Sequence, residues 1–165
     1  HKGYGTKLHY QMLNQFGESP IHRHSFLKKY YAQKEQNQEV VRRKKVGRAG
    51  EAWTAKYLQK KGCIILERNY HCTYGEIDII AQSQNFILFV EVKTRKTSSW
   101  YTPKTAVNAK KQQNILQSAK CYLSKHHVVL QPRFDVAEIY VTDQKKVYIN
   151  YLENAYQNWC KKNHD

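Results

Sequence analysis

Apolar residues fall at helical spacing on either side of the chain's centre and at strand spacing within it. Ala52, Ala55 and Leu58, with neighbouring aromatics, predict a helix over about 49–61, ended by Gly62. Strands are predicted over 63–69, 76–81 and 86–94, the last carrying the apolar run Phe86-Ile87-Leu88-Phe89-Val90. A long helix is predicted over 102–125, with Pro103 in its first turn, where a missing amide is tolerated. Two more strands over 133–141 and 146–150 and a short closing helix over 152–159 complete the pattern. Helix, three strands, helix, two strands specifies an α/β fold in which helices flank a central mixed β-sheet.

The most apolar strand also carries charge. Glu91 and Lys93 follow its apolar run, and Asp78 lies in the strand before. Ionised groups in such a place are costly unless they pair or hold a metal. Strand alternation puts Glu76, Asp78 and Ile80 on one side and Phe89, Glu91 and Lys93 on one side of the next strand. If the hairpin turns through the two residues Gln84-Asn85, Ser83 pairs with Phe86. Asp78 then falls opposite Glu91, and Glu76 opposite Lys93. A three-residue loop would break that register.

A carboxylate on one strand and Glu-x-Lys on the next suit a divalent cation beside a phosphodiester. Mg²⁺ takes hard oxygen ligands and keeps several waters, so Asp78 and Glu91 plus a substrate phosphate suffice; Mn²⁺ would serve equally. Lys93 would orient a water or offset charge on phosphorus; its structural alternative is a salt bridge to Glu76 or Glu91. Glu51, after Gly47-Arg48-Ala49-Gly50, is either a further metal ligand or a favourable acid in a first helical turn. In the stripe Ala109, Gln112, Leu116, Ala119, Leu123, which should face the sheet, Gln112 is placed to hydrogen-bond a substrate or a strand end. Lys110, Lys111 and Arg95 are candidate phosphate contacts. Asp135, in Arg133-Phe134-Asp135-Val136, is expected to pair with an arginine.

Charge narrows the partner. Lys and Arg number 28 against 13 Asp and Glu, a formal net charge of +15, which points to a polyanion, with DNA favoured. Residues 1–45 read as a basic, flexible extension with weak apolar periodicity, ending in Arg42-Arg43-Lys44-Lys45 and suited to tracking phosphates; residues 46–160 read as the α/β domain. No apolar run approaches membrane-spanning length, so no membrane role is expected. Cys63, Cys72, Cys121 and Cys160 fit no zinc spacing, and reduced thiols in a cytoplasmic protein are their simplest account. His126-His127, at a helix end, are expected to be solvated. A chain that starts at His1 rather than Met is expected to be part of a longer reading frame.

Several motifs in order resemble the YraN family of small bacterial proteins. They are Gly47-x-x-Gly50-Glu51, Arg68-Asn69-Tyr70, Gly75-Glu76-Ile77-Asp78, Phe89-Val90-Glu91-Val92-Lys93-Thr94-Arg95, Ala106-Val107, Lys111-Gln112 and Arg133-Phe134-Asp135-Val136. The resemblance runs from about residue 46 to 156. It departs in the loop Ser98-Ser99-Trp100-Tyr101-Thr102-Pro103, which lacks a glycine before the proline, at Thr105, where an acid is usual, and at Gln113-Asn114, which replace a more basic pair. The family resembles Holliday-junction resolvases and other PD-(D/E)XK, restriction-endonuclease-like nucleases in fold. That likeness implies signature positions at Asp78, Glu91 and Lys93 and an acidic position at Glu51.

The expectation is therefore a divalent-metal-dependent endonuclease-like protein hydrolysing phosphodiester bonds, with DNA, branched or single-stranded, as the expected substrate. A non-cleaving nucleic-acid-binding protein on the same fold is the alternative. A basic interaction protein comes third. Paired cutting of a junction would require a homodimer.

Overall fold

The computed structural model describes residues 6–18, 24–97 and 107–156. The chain divides into two compact units, 1–44 and 45–165. In the first, helix α1 (Lys7–Phe16) is capped by the Thr6 side chain, which accepts from the His9 amide at 3.3 Å. Helix α2 (His24–Lys60) begins in that unit and ends in the second. Within the first unit, His9 stacks on Phe26 at 5.1 Å, Tyr10 stacks on Tyr30 at 5.8 Å, and the Tyr30 hydroxyl donates to Asn14 at 2.6 Å.

The helix predicted over 49–61 thus begins at His24. Residues 24–48 are rich in Lys, Gln, Glu and Arg, good helix formers that draw no apolar stripe, so periodicity misses them where propensity would not.

The second unit holds a five-stranded sheet in the order β1 (Ile64–Cys72), β2 (Gly75–Gln82), β3 (Phe86–Thr97), β4 (Gln131–Thr142), β5 (Val147–Leu152). Neighbours are antiparallel except β3 and β4, which run parallel and are joined by a crossover containing α3 (Ala109–His126). The fold is α/β with a mixed sheet, as the pattern of elements predicts.

Each sheet face buries one helix. Ala55 and Leu58 of α2 pack on Ile79, Ala81, Leu88, Val90 and Ala137. Ile115, Leu116, Ala119 and Tyr122 of α3 pack on Ile80, Ile87, Phe89, Phe134 and Val136. Full burial of an Ile, Leu or Phe contributes about 1.5–3 kcal/mol, so these two layers hold the sheet in place. Gly50 permits the close approach of α2: a Cβ there would overlap the Thr94 side chain on β3. Gly47 has open space instead.

Three features differ from expectation. Helix α3 starts at Ala109, with Asn108 as its N-cap accepting from the Lys111 amide at 2.8 Å; Val107 and Asn108 are not helical. Asn is a strong capping residue, and its cap sets the start of α3 rather than Pro103, which suggested 102. Pro103 and the remainder of 98–106 lie outside the described residues. Ala109 is exposed, and the buried face of α3 runs through Ile115, Leu116, Ser118, Ala119 and Tyr122. Finally, no helix begins at 152: Leu152 ends β5, a turn follows at Glu153-Asn154, and the Ala155 amide bonds to the Phe134 carbonyl at 2.8 Å. Residues 157–159 lie outside the described residues.

Candidate functional site

The Gln84-Asn85 hairpin has the expected two-residue loop, with the Ser83 amide bonded to the Phe86 carbonyl at 2.9 Å. The register follows: Gln82 pairs with Ile87, Ala81 with Leu88, Ile80 with Phe89 and Ile79 with Val90. The ladder then stops. Strand β3 continues alongside β4 to Thr97, so β2 and β3 part beyond Ile79 and Val90.

Asp78 stands at this fork. Its Oδ2 accepts the Val92 amide at 2.7 Å, replacing the backbone partner that the parting strands remove. The side-chain alternation of β2 slips here as well. Ile77 packs with Ile80 in the α3-side cluster, three residues away, while Ile79 packs on the α2 side. Across from Asp78, between the pairs Arg68–Ile79 and Tyr70–Ile77, lies Asn69 with φ of 53°. A left-handed residue breaks strand geometry, and Asn tolerates it better than most.

Glu91 is the electrical neighbour of Asp78. Burial and then the Glu91 charge push the Asp78 carboxyl up to about 7, against the lowering effects of the Val92 amide and of Lys111. Glu91 is also raised, chiefly by burial, with Lys111 and Lys93 opposing. Lys111 Nζ lies 3.4 Å from Glu91 Oε2 and 3.9 Å from Glu76 Oε1. The Glu91 contact is an ion pair without hydrogen-bond geometry, so Oε2 is buried with no hydrogen bond. His71 Nδ1 approaches Glu76 at 3.7 Å, and His71, Gly75, Glu76, Lys111 and Asn114 line an open depression beside the pair.

The sequence expectation that Glu76 faces Lys93 fails because the ladder ends first. Glu76 meets Lys111 and His71, and the register partner of Lys93 is Glu138 on β4. Lys93 remains near enough to lower the Glu91 carboxyl. Glu51 lies within electrostatic range of Asp78, but its Oε2 accepts from Asn69 Nδ2 at 3.0 Å and lies 4.0 Å from Arg68. Among the described residues no three His, Cys, Asp or Glu side chains gather as a metal-holding group.

Gln112 donates to the Val107 carbonyl at 2.7 Å and so ties down the approach to α3. Lys110 and Arg95 are exposed, as are Lys44 and Lys45. Arg43 bonds Glu39 at 3.0 Å and Arg42 reaches the same carboxylate at 3.9 Å. Asp135 pairs with arginine as expected: Arg133 donates to it through Nε at 2.9 Å and through a terminal nitrogen at 2.8 Å.

Two residues escaped the sequence reading. Glu138 is fully buried on β4 and accepts from Asn150 at 3.1 Å. An acid inside the apolar strand Phe134–Val141 is the same signal that singled out Glu91. Tyr156 is buried, stacks on Phe134 at 5.5 Å, and has a hydroxyl without a hydrogen bond. Its pKa is pushed up by burial and then by Glu91, Asp135 and Asp78, so it lies within electrostatic range of the acid pair. Its distance in sequence left no pattern to find it by.

The model of the uncharacterised protein family UPF0102, to which the name YraN also applies, matches residues 50–139. Similar proteins include a UPF0102 protein of Caldanaerobacter subterraneus subsp. tengcongensis, 44% identical over 119 residues covering 70% of this chain and 98% of that protein. Another, from Clostridium botulinum, is 43% identical over 117 residues, covering 69% of this chain and 95% of its own length. A third, from Clostridium acetobutylicum, is 42% identical over 116 residues, with 69% and 95% covered. The chain belongs to the UPF0102 family. Among the described residues no helix is long and apolar enough to cross a membrane.

Proposed function

We propose that the protein is a divalent-cation-dependent endonuclease-like protein that binds nucleic acid, DNA by preference, and hydrolyses phosphodiester bonds. The observation that carries this reading is the pairing of Asp78 and Glu91 at the strand fork, two substantially buried carboxylates brought together at a cost. The donor set suits Mg²⁺ or Mn²⁺: hard oxygens only, one of them, Glu91 Oε2, buried without a hydrogen bond. Asp78 and Glu91 would hold the ion; Glu51 is committed to Asn69 and would act by charge alone. A bound cation supplies Lewis-acid polarisation of a phosphoryl oxygen and relieves the repulsion between the two acids.

The chain's own residues do the rest. Lys93, next to Glu91 on the same face of β3, offsets charge developing on phosphorus. Lys111 releases the carboxylates and takes a substrate phosphate as its new partner. Exposed Lys110, Arg95, Lys44 and Lys45 add phosphate contacts.

The Lys111 ion pair also favours a second reading. An ammonium already 3.4 Å from Glu91 can neutralise the acids without any cation, as a non-cleaving nucleic-acid-binding protein would need. A cleavage assay on labelled duplex, single-stranded and four-way-junction DNA, with Mg²⁺, Mn²⁺ or EDTA, separates the two. Metal-dependent cutting that disappears in Asp78→Ala supports the nuclease. Binding that is salt-sensitive, indifferent to Mg²⁺ and without cutting on any substrate supports the second reading.

A further inference from the structure

Cys72 ends β1, and Cys121 lies in the middle of α3. Cys72 Sγ donates to Ser118 Oγ at 3.2 Å. Ser118 and Cys121 are three residues apart on α3, hence on one side of that helix. The hydrogen bond to Ser118 thus sets Cys72 against the side of α3 that carries Cys121. Both cysteines are unpaired and half-buried, open enough for a small reagent to enter.

The turn after Cys72 rests on the same helix. Gly75 has φ of 146°, and a Cβ there would lie 3.6 Å from Asn114 Cβ and 3.8 Å from Ser118 Oγ. Burial pushes the Cys72 thiol up. Once the sulfur is deprotonated, Ser118, the Tyr74 and Gly75 amides and Cys121 favour the thiolate and outweigh burial, and the net shift is downward. Such surroundings raise the thiolate fraction that reacts with oxidants.

We propose that Cys72 and Cys121 form a redox-active dithiol, which hydrogen peroxide converts to a disulfide joining β1 to α3. The Cys72 thiolate attacks a peroxide oxygen, the O–O bond breaks, and one water leaves after protonation. Cys121 then attacks the resulting sulfenic acid, the S–O bond breaks, and a second water leaves as the S–S bond forms. The two thiols lose two electrons and two protons to the peroxide; a dithiol reductant reverses the change. Cys72 also borders the depression that holds Glu76 and Lys111, so the bridge would fix the strand turn against the helix that carries Lys111. This inference is independent of whether the acid pair cuts nucleic acid.

The test uses the reduced full chain, exposed to graded hydrogen peroxide, blocked by alkylation, digested without reduction and mapped by mass spectrometry. The expected result is a Cys72–Cys121 cross-linked peptide within one chain. Alkylation of both residues should fall together at least tenfold, Cys63 should remain alkylatable, and dithiothreitol should restore the pattern. Cys72→Ser should leave Cys121 alkylatable at the same dose. Cys121→Ser should stop Cys72 at sulfenic acid, trapped by a dimedone probe. The proposal is overturned if Cys72 bridges to Cys63, Cys160 or a second chain instead. It is overturned equally if Cys72 and Cys121 stay alkylatable at peroxide doses that consume Cys63. The map of the parent protein decides even where a variant fails to fold.

Discussion

Asp78 and Asp135 are both carboxylates drawn into the sheet, and they are treated in opposite ways. Asp135 has every oxygen claimed: two bonds from Arg133, one from the Tyr151 hydroxyl at 2.7 Å and one from the Asn154 amide at 2.8 Å. Asp78 has the Val92 amide and a second acid for a neighbour. A saturated buried charge holds structure together, tying β4 to β5 and to the turn beyond it. An under-saturated one holds free energy in reserve for a ligand that brings positive charge.

The comparison breaks most visibly in activity. Asp78→Ala or Glu91→Ala should lower cleavage by at least ~100-fold while leaving DNA binding largely intact, and Lys93→Ala should stop cutting with metal still bound. Cleavage rates beside binding isotherms check this; three variants that cut like the parent would remove the site. Asp135→Ala should instead cost about 3–5 kcal/mol of folding stability, because it strands Arg133 without its partner. Urea denaturation measures that loss, and a midpoint unchanged from the parent would mean that Asp135 is not the structural member of the pair.

The next effect is in pH. The folded-state carboxyl of Asp78 is raised to about 7, so between its ordinary value and 7 the folded chain holds a proton the unfolded chain has released. Stability therefore falls as pH rises through that window and levels off above it. Asp78→Asn keeps an acceptor for Val92 and should flatten most of that slope, adding roughly 1–3 kcal/mol at pH 8. Glu91, shifted in the same direction, leaves a residual slope. The smallest effect is that of the cation. Millimolar Mg²⁺ should stabilise the parent by about 1 kcal/mol at pH 8 and by less at pH 5, where protons compete for the same oxygens. Asp78→Asn should lose that response, and thermal unfolding with and without EDTA reads it.

Much of this arrangement was legible beforehand. The apolar run at 86–90 marked the central strand, and turn chemistry at Gln84-Asn85 set a register that holds as far as Ile79 and Val90, one residue short of Asp78 and Glu91, which stay within electrostatic range of each other. Asp135 was legible because Arg133 stands two residues away, on the same side of its strand. What stayed hidden depended on contacts between distant segments. The fork beyond Ile79 arises because β3 follows β4, a preference invisible in either strand alone. Lys111 read as a phosphate contact because nothing local reveals that α3 starts at Ala109 and aims it at Glu91. Glu138 could have been found by the rule that found Glu91. Helix α2 was missed over 24–48 because a polar helix has no period to detect.

The bond between Asp78 and the Val92 amide gives the site its own spectroscopic gauge. A ladder amide is shielded by another peptide group, which does not titrate; this one is shielded by a carboxylate that does. The Val92 amide proton should therefore shift and exchange with solvent according to the charge on Asp78. A single backbone resonance would then follow protons, cations and substrate as each arrives at the fork, with no bond needing to be cut.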